Sequence, residues 1–276
     1  MKRNWPEGKH VAVLFTIMFE GWEEGAAPGV GPMGNALKPG YYDTANAGWA
    51  KYAANNGLER QLKILKEEEI KASVFCSGVQ MERHPDLIRK IAAEGHEVCL
   101  HSLAQNIIPI YLDEATEREQ MSHCLDLAVS LTGKHPVGYC SPRCTPSLNT
   151  SKLLAENGLK YTIDWMGSDL PMVEHTEAGD ICLMPFPMNV NDMPLYVRYG
   201  NAPDQYYRNL VDEFENWYAK HPEEKVVYWI TAHSHVFGRP FGAVQFQRCI
   251  QYIKSLPYVW IAQPHEVAST VLDVTY

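Results

Sequence analysis

Val11-Ala12-Val13-Leu14-Phe15-Thr16-Ile17-Met18-Phe19-Glu20 is an almost unbroken apolar run that ends on a carboxylate. It is too short to cross a membrane. Continuous apolar runs of this length read as strands buried on both faces, the habit of parallel sheets, rather than as alternating half-buried strands. Working outward, runs of the same kind recur at Ser73–Cys76, Glu97–Leu100, Val137–Cys140, Tyr161–Asp164, Ile181–Met184, Val226–Thr231 and Val259–Ala262. Between them lie apolar stripes at helical spacing: Leu58, Leu62 and Leu65; Leu87, Ile88 and Ile91; Met121, Cys124, Leu125 and Ala128; Tyr206, Leu210, Phe214 and Trp217; Cys249, Ile250 and Ile253. Gly95, Gly133 and Gly158 stand where helix C-caps belong. Strands alternating with helices predict an α/β fold built of βαβ units. Seven or eight units in one chain predict a single-domain, irregular (β/α)7-8 barrel over residues 1–276. A doubly wound sheet competes, but no Gly-x-Gly-x-x-Gly follows the first strand. Neither an internal repeat nor a domain-splitting linker interrupts the pattern.

The 276 residues are 46% hydrophobic and 21% charged, with a formal net charge of −9. That composition excludes disordered, collagen-like and coiled-coil classes. The acidic balance argues against nucleic acid or an anionic membrane as partner, since both attract a basic face. Seven cysteines, an odd number without a Cys-x-x-Cys pair, argue against a disulfide framework. Together with the lack of a signal-peptide pattern at the start, this sets the expectation of a cytoplasmic protein. Residues 21–57 are expected to form a long active-site loop. From Gly21 to Gly48 it holds seven glycines and three prolines, while Trp22, Tyr41, Tyr42 and Trp49 argue that it is ordered.

The unusual polar residues fall just past strand ends. Glu20 ends the first strand, His101 the third and Ser141-Pro142-Arg143 the fourth; Asp164 to Asp169 follow the fifth, and His233-Ser234-His235 the seventh. In parallel α/β folds ligands bind at that rim. A carboxylate at the end of a buried strand needs a cation, a metal or hydrogen bonds. Two residues apart on one strand, His233 and His235 would face opposite sides, so one of them, His233, is expected at the mouth. Arg143 and Arg239 would clamp an oxyanion or carboxylate, or neutralise Glu20 and Asp169. His265, after the last strand, is the least dismissible of the other histidines. A carboxylate with two imidazoles from separate strands suits a borderline divalent ion such as Zn²⁺. Spacing alone supports this weakly, because there is no His-Glu-x-x-His.

These motifs resemble the polysaccharide deacetylase (NodB-homology) superfamily, and within it the allantoinase-like and cyclic-imide hydrolases. The resemblance rests on Glu20 after the first strand, Gly95-His96-Glu97-Val98 leading to His101-Ser102, then Ser141-Pro142-Arg143, Ser168-Asp169-Leu170-Pro171 and Ala232-His233-Ser234-His235. Gly31-Pro32-Met33 and Leu37-Lys38-Pro39-Gly40 are similar to the long first loop of the imide-hydrolase branch. Two departures stand out: sugar deacetylases of the superfamily carry paired aspartates where Phe19-Glu20 stands, and a second histidine where Gln105 stands.

The resemblance implies hydrolysis of a non-peptide C–N bond in a small cyclic amide, imide or ureide. It implies a divalent metal, zinc first with manganese, cobalt or nickel as alternatives, held by His101, His233 and either Asp169 or Glu20. A metal-free site is the next reading. Asp169 or Glu20 would be the catalytic carboxylate, and Ser141, Arg143 and Arg239 would bind substrate. The partner expected is a small molecule, with a homo-oligomer suggested by aromatics such as Trp217 and Tyr218. Two alternatives remain: an N-deacetylase of a carbohydrate or other small N-acetyl substrate, and a non-catalytic ligand-binding barrel.

Overall fold

The computed structural model describes residues 5–27, 37–38, 40–186 and 188–272. Gly31-Pro32-Met33 and Pro39 therefore lie outside the described residues. β1 (Val11–Phe19) is buried along its whole length and divides the core by alternation. Ala12, Leu14 and Met18 enter an inner cluster with Phe75, Cys99, Tyr161 and Trp229. Val11, Val13, Phe15, Ile17 and Phe19 face the opposite way, into a larger layer shared with the helices. The apolar run is continuous because each face of the strand has its own core.

The remaining strands are β2 (Ser73–Cys76), β3 (Glu97–Leu100), β4 (Gly138–Tyr139), β5 (Tyr161–Trp165), β6 (Met172–Thr176), β7 (Gly179–Pro185), β8 (Val190–Asn191), β9 (Val226–His233) and β10 (Val259–Ala262). They lie in the order β6-β7-β5-β4-β3-β2-β1-β9-β8, with β10 added against β1. β1 is the shared strand. It pairs with β9 from Val11 to Met18, and on its other side with β10 at Val11–Leu14 and then β2 at Thr16–Phe19. All pairings are parallel except the β6–β7 hairpin. The sheet curves as an irregular barrel, and among the described residues no pairing joins its edge strands β6 and β8.

The helices are α1 (Thr44–Tyr52), α2 (Leu58–Glu67), α3 (Gly78–Arg83), α4 (Pro85–Ala93), α5 (Glu114–Thr132), α6 (Thr150–Glu156), α7 (Gln205–Glu213), α8 (Pro240–Lys254) and α9 (Pro264–Leu272). The apolar stripes read from the sequence face the sheet, except that Trp217 ends up half exposed on the π-turn Phe214–Tyr218. Gly133 caps α5 in the left-handed region, φ 68°, as its position implied. β6 and β8 have no counterpart in the sequence reading. β6 is a largely exposed edge strand of mixed polarity and β8 is two residues long, so neither leaves an apolar run. The long loop is ordered where described: Trp22 and Trp49 are buried, and Asp43 caps α1 by accepting from the Asn46 N–H.

One backbone contact fixes the end of β9. Gly57, in the π-turn Ala53–Gly57, lies so near Ser234 that an added Cβ would meet the Ser234 carbonyl oxygen at 1.9 Å; at Gly238 the same oxygen would lie at 2.1 Å. Gln61 on α2 reinforces the contact, since its Oε1 accepts from Ser234 Oγ at 2.7 Å. Gly57→Ala therefore pushes the turn that carries His233 and His235. The expected loss is about 1–3 kcal/mol of stability, the usual cost of overpacking, with a fall in turnover. Urea unfolding and a steady-state assay check this; an unchanged midpoint contradicts it.

Candidate active site

Glu20 is the first residue past β1 and is 8% exposed. Its carboxylate meets three imidazoles. Oε1 lies 3.3 Å from His101 Nε2, past the end of β3, and 3.5 Å from His233 Nε2, at the end of β9. Oε2 lies 3.7 Å from His235 Nε2. The structure thus brings together Glu20, His101 and His233, chosen from sequence, and adds His235, which sequence reasoning had turned away. The alternation rule does not reach His235, because β9 stops at His233 and the chain turns at Ser234.

Each of the first two imidazoles is aimed by a bond at its far nitrogen. His101 Nδ1 donates to the Cys140 carbonyl at 2.7 Å. His233 Nδ1 donates to Asp192 Oδ1 at 2.6 Å. Asp192 is fully buried and also accepts from the His233 N–H (2.9 Å to Oδ2) and the Phe237 N–H (3.0 Å). Sequence reasoning missed Asp192. It follows the two-residue β8, which carries no periodic signal; its one local mark is the Asp-Met-Pro that opens the π-turn Met193–Arg198.

The electrostatics follow from this packing. Burial alone pulls the His233 pKa down, but the charges of Asp192 and Glu20 push it up to about 10. Burial pushes the Glu20 carboxyl up, yet the His233 charge and the bonds from His101 and His233 outweigh it and hold it well below the usual carboxylate range. Glu20 and His233 are an ion pair at neutral pH. His235 differs: burial dominates and lowers it to about 3, so it is neutral. Its ring stands edge-on to Trp49 (centroids 4.4 Å apart) and Trp22 (5.3 Å), and neither ring nitrogen has a hydrogen-bond partner.

The other expected site residues divide. Ser141 lies past β4, where its N–H donates to both oxygens of half-buried Asp164 at 3.1 Å and its buried Oγ is unpartnered. Arg143 is exposed, in the left-handed region at φ 57°. Arg239, at the start of α8, stacks over the Tyr52 ring at 3.9 Å. Asp169 does not join the group. The chain after β5 turns to the start of β9, ahead of the stretch that β8 covers, where the Asp169 carbonyl accepts from the Val227 N–H. Val227 is six residues, roughly 20 Å, along the strand from His233. His265 lies elsewhere too, 3.4 Å from Glu97.

The donor set does not fit a metal as the side chains stand. Bonds of about 2.0–2.1 Å to an ion hold two imidazole nitrogens within roughly 4.2 Å of each other. Among the described residues, the donor atoms of Glu20, His101 and His233 do not gather within 4.8 Å of one another; the group that does is His221, Glu223 and Glu224 on the surface. Here Glu20 Oε1 itself stands between the two imidazoles. Gln105 is buried, and its amide Nε2 donates to Ser77 Oγ at 3.1 Å and to the His101 carbonyl.

Residues 40–162 match the sequence profile of the polysaccharide deacetylase family. The fold and the match together give the class: a NodB-like α/β barrel, similar over residues 40–162 to polysaccharide deacetylases, and a hydrolase acting on non-peptide C–N bonds. Among individual proteins, it is similar to PuuE allantoinase, at 28% identity and a TM-score of 0.86 over 97% of this chain and 92% of that one. A "probable polysaccharide deacetylase" of Pseudomonas aeruginosa PAO1 gives 27%, 0.86, 97% and 93%. The peptidoglycan deacetylase of Helicobacter pylori is 23% identical over 254 residues, 80% of this chain and 85% of that protein. Deacetylases of this family are generally metal-dependent. No helix among the described residues is long and apolar enough to cross a membrane.

The Asp192–His233 bond has a pH signature. A group whose pKa is raised on folding contributes stability in full below its unfolded value and loses it as pH climbs through the folded value. Wild-type stability should therefore decline between about pH 6.5 and about pH 10, the ordinary and folded values for His233. Asp192→Asn should flatten that decline and cost about 1–3 kcal/mol at neutral pH, because one of the two acceptor oxygens facing buried N–H donors becomes an NH2 group. Urea unfolding across that range checks it; equal slopes in the two proteins contradict it.

Proposed function

We propose that the protein hydrolyses the C–N bond of a small cyclic amide, imide or ureide, with Glu20 as the general base. The observation that carries this reading is the replacement at the site: a single glutamate among imidazoles where sugar deacetylases carry paired aspartates, and Gln105 tied to Ser77 where they carry a second histidine. The near-complete overlap with PuuE allantoinase supports it.

An amide carbonyl is a weak electrophile, so the site must raise the nucleophilicity of water and stabilise the oxyanion. Glu20, held ionised by His233, takes a proton from water as oxygen attacks the carbonyl carbon. The protonated carboxyl then returns that proton to the leaving nitrogen as the C–N bond breaks. Asp192 keeps His233 oriented and cationic through both stages. Ser141 Oγ, buried and unpartnered, is the donor we assign to the oxyanion, and exposed Arg143 meets polar groups on the part of the substrate that faces out. A divalent ion, zinc first, would have to draw His101 and His233 together and displace Glu20 from between them.

The second reading, N-deacetylation of a carbohydrate, is favoured by the family profile over residues 40–162 and by the peptidoglycan deacetylase relative. One panel separates the two: hydantoin, succinimide, allantoin and N-acetylglucosamine oligomers, each assayed before and after exhaustive chelation. Hydrolysis of a ring substrate that survives chelation is the expected result. Turnover of sugar oligomers alone, abolished by chelation, overturns it.

A further inference from the structure

We propose that His235 holds the attacking water together with Glu20, and so is a catalytic residue of the hydrolysis proposed above, on which this inference rests. Glu20 uses its two oxygens differently. Oε1 is occupied by His101 and His233, whereas Oε2 faces His235 Nε2 at 3.7 Å. That separation is too long for a direct hydrogen bond, but one oxygen atom placed about 2.8 Å from each group bridges it. Charge selects what that oxygen is. Beside a carboxylate a carbonyl oxygen gaining negative charge is repelled, whereas a water donates one O–H to Oε2 and the other to an unprotonated imidazole nitrogen. Both lone pairs of the water stay free of the carboxylate, and one is left to attack.

The cost of His235 argues the same way. The residue is fully buried, and its ring packs edge-on against Trp22 and Trp49, a slot that phenylalanine would fill as well. A histidine there leaves two ring nitrogens without partners inside the protein. Buried unpaired polar groups are destabilising, and in native proteins each calls for an explanation. At this position the explanation is chemical. Water gives one proton to Glu20 and its oxygen bonds to the carbonyl carbon, whose π pair moves onto oxygen. The oxyanion then re-forms the carbonyl, the C–N bond breaks, and the proton on Glu20 passes to nitrogen. His235 takes no net proton; it fixes the oxygen that attacks.

The test is His235→Phe beside His235→Gln, assayed on whichever compound of the panel the wild-type enzyme hydrolyses. Failure of the cyclic-substrate reading shows in the wild-type panel, while His235 is judged on the substrate actually used. The Phe variant is expected to lose about 100-fold or more in kcat, with KM within about threefold of wild type. Its melting temperature should rise by roughly 2–4 °C, because the unpaired nitrogens are gone. Gln, which keeps an acceptor, should recover about tenfold of the lost kcat. The proposal is overturned by a Phe variant within about threefold of wild-type kcat, by a loss confined to KM, by a fall in melting temperature, or by a Gln variant as slow as Phe.

Discussion

A carboxylate placed at the inner end of a fully buried strand has to be compensated, and the site is organised around that necessity. Glu20 comes directly after nine buried residues of β1, the strand that touches three others. The nearest compensation arrives from strand ends and turns far away in sequence: His101 from β3, His233 from β9 and His235 from the turn beyond it. The barrel brings them together because parallel strands all end on one rim.

Compensation by imidazoles is geometrically demanding, and the fold meets the demand from behind. His101 and His233 are each aimed by a bond at Nδ1, to Cys140 and to Asp192. The turn after His233 is clamped by the near-contact of Gly57 and Gly238 with the Ser234 carbonyl and by Gln61 on α2. The π-turn that supplies Gly57 ends the long first loop, so the loop both carries Trp22 and Trp49 against His235 and seats the turn beneath it. Imidazoles aimed at Nδ1 are what a metal site also requires, but here the space between their Nε2 atoms is taken by the carboxylate.

Much of this was legible in the sequence. β1, β2, β3 and β10 begin and end where their apolar runs do, and in β1 and β2 burial of every residue leaves no ambiguity about the boundaries. Glu20, His101 and His233 could be found because each stands at a strand end. What escaped is what position along a strand does not encode. Asp192 acts across 41 residues of sequence from a strand too short to read. His235 was set aside by a rule that holds only while the strand continues. Asp169 is suggested by its position after β5, yet the chain there bends to the start of β9 and takes it away. Gln105 is visible in the sequence as a departure, and in the fold its amide Nε2 donates to Ser77 Oγ.

The account stands on the charge at the end of β1 being the group that activates water. Glu20→Gln keeps the size and removes that charge, and its turnover on the wild-type substrate, measured in chelated buffer, is the most direct test. The account predicts a folded protein with kcat reduced by about 10³-fold or more, a general base and its ion pair being lost together. A variant that keeps kcat within about tenfold of wild type would contradict it.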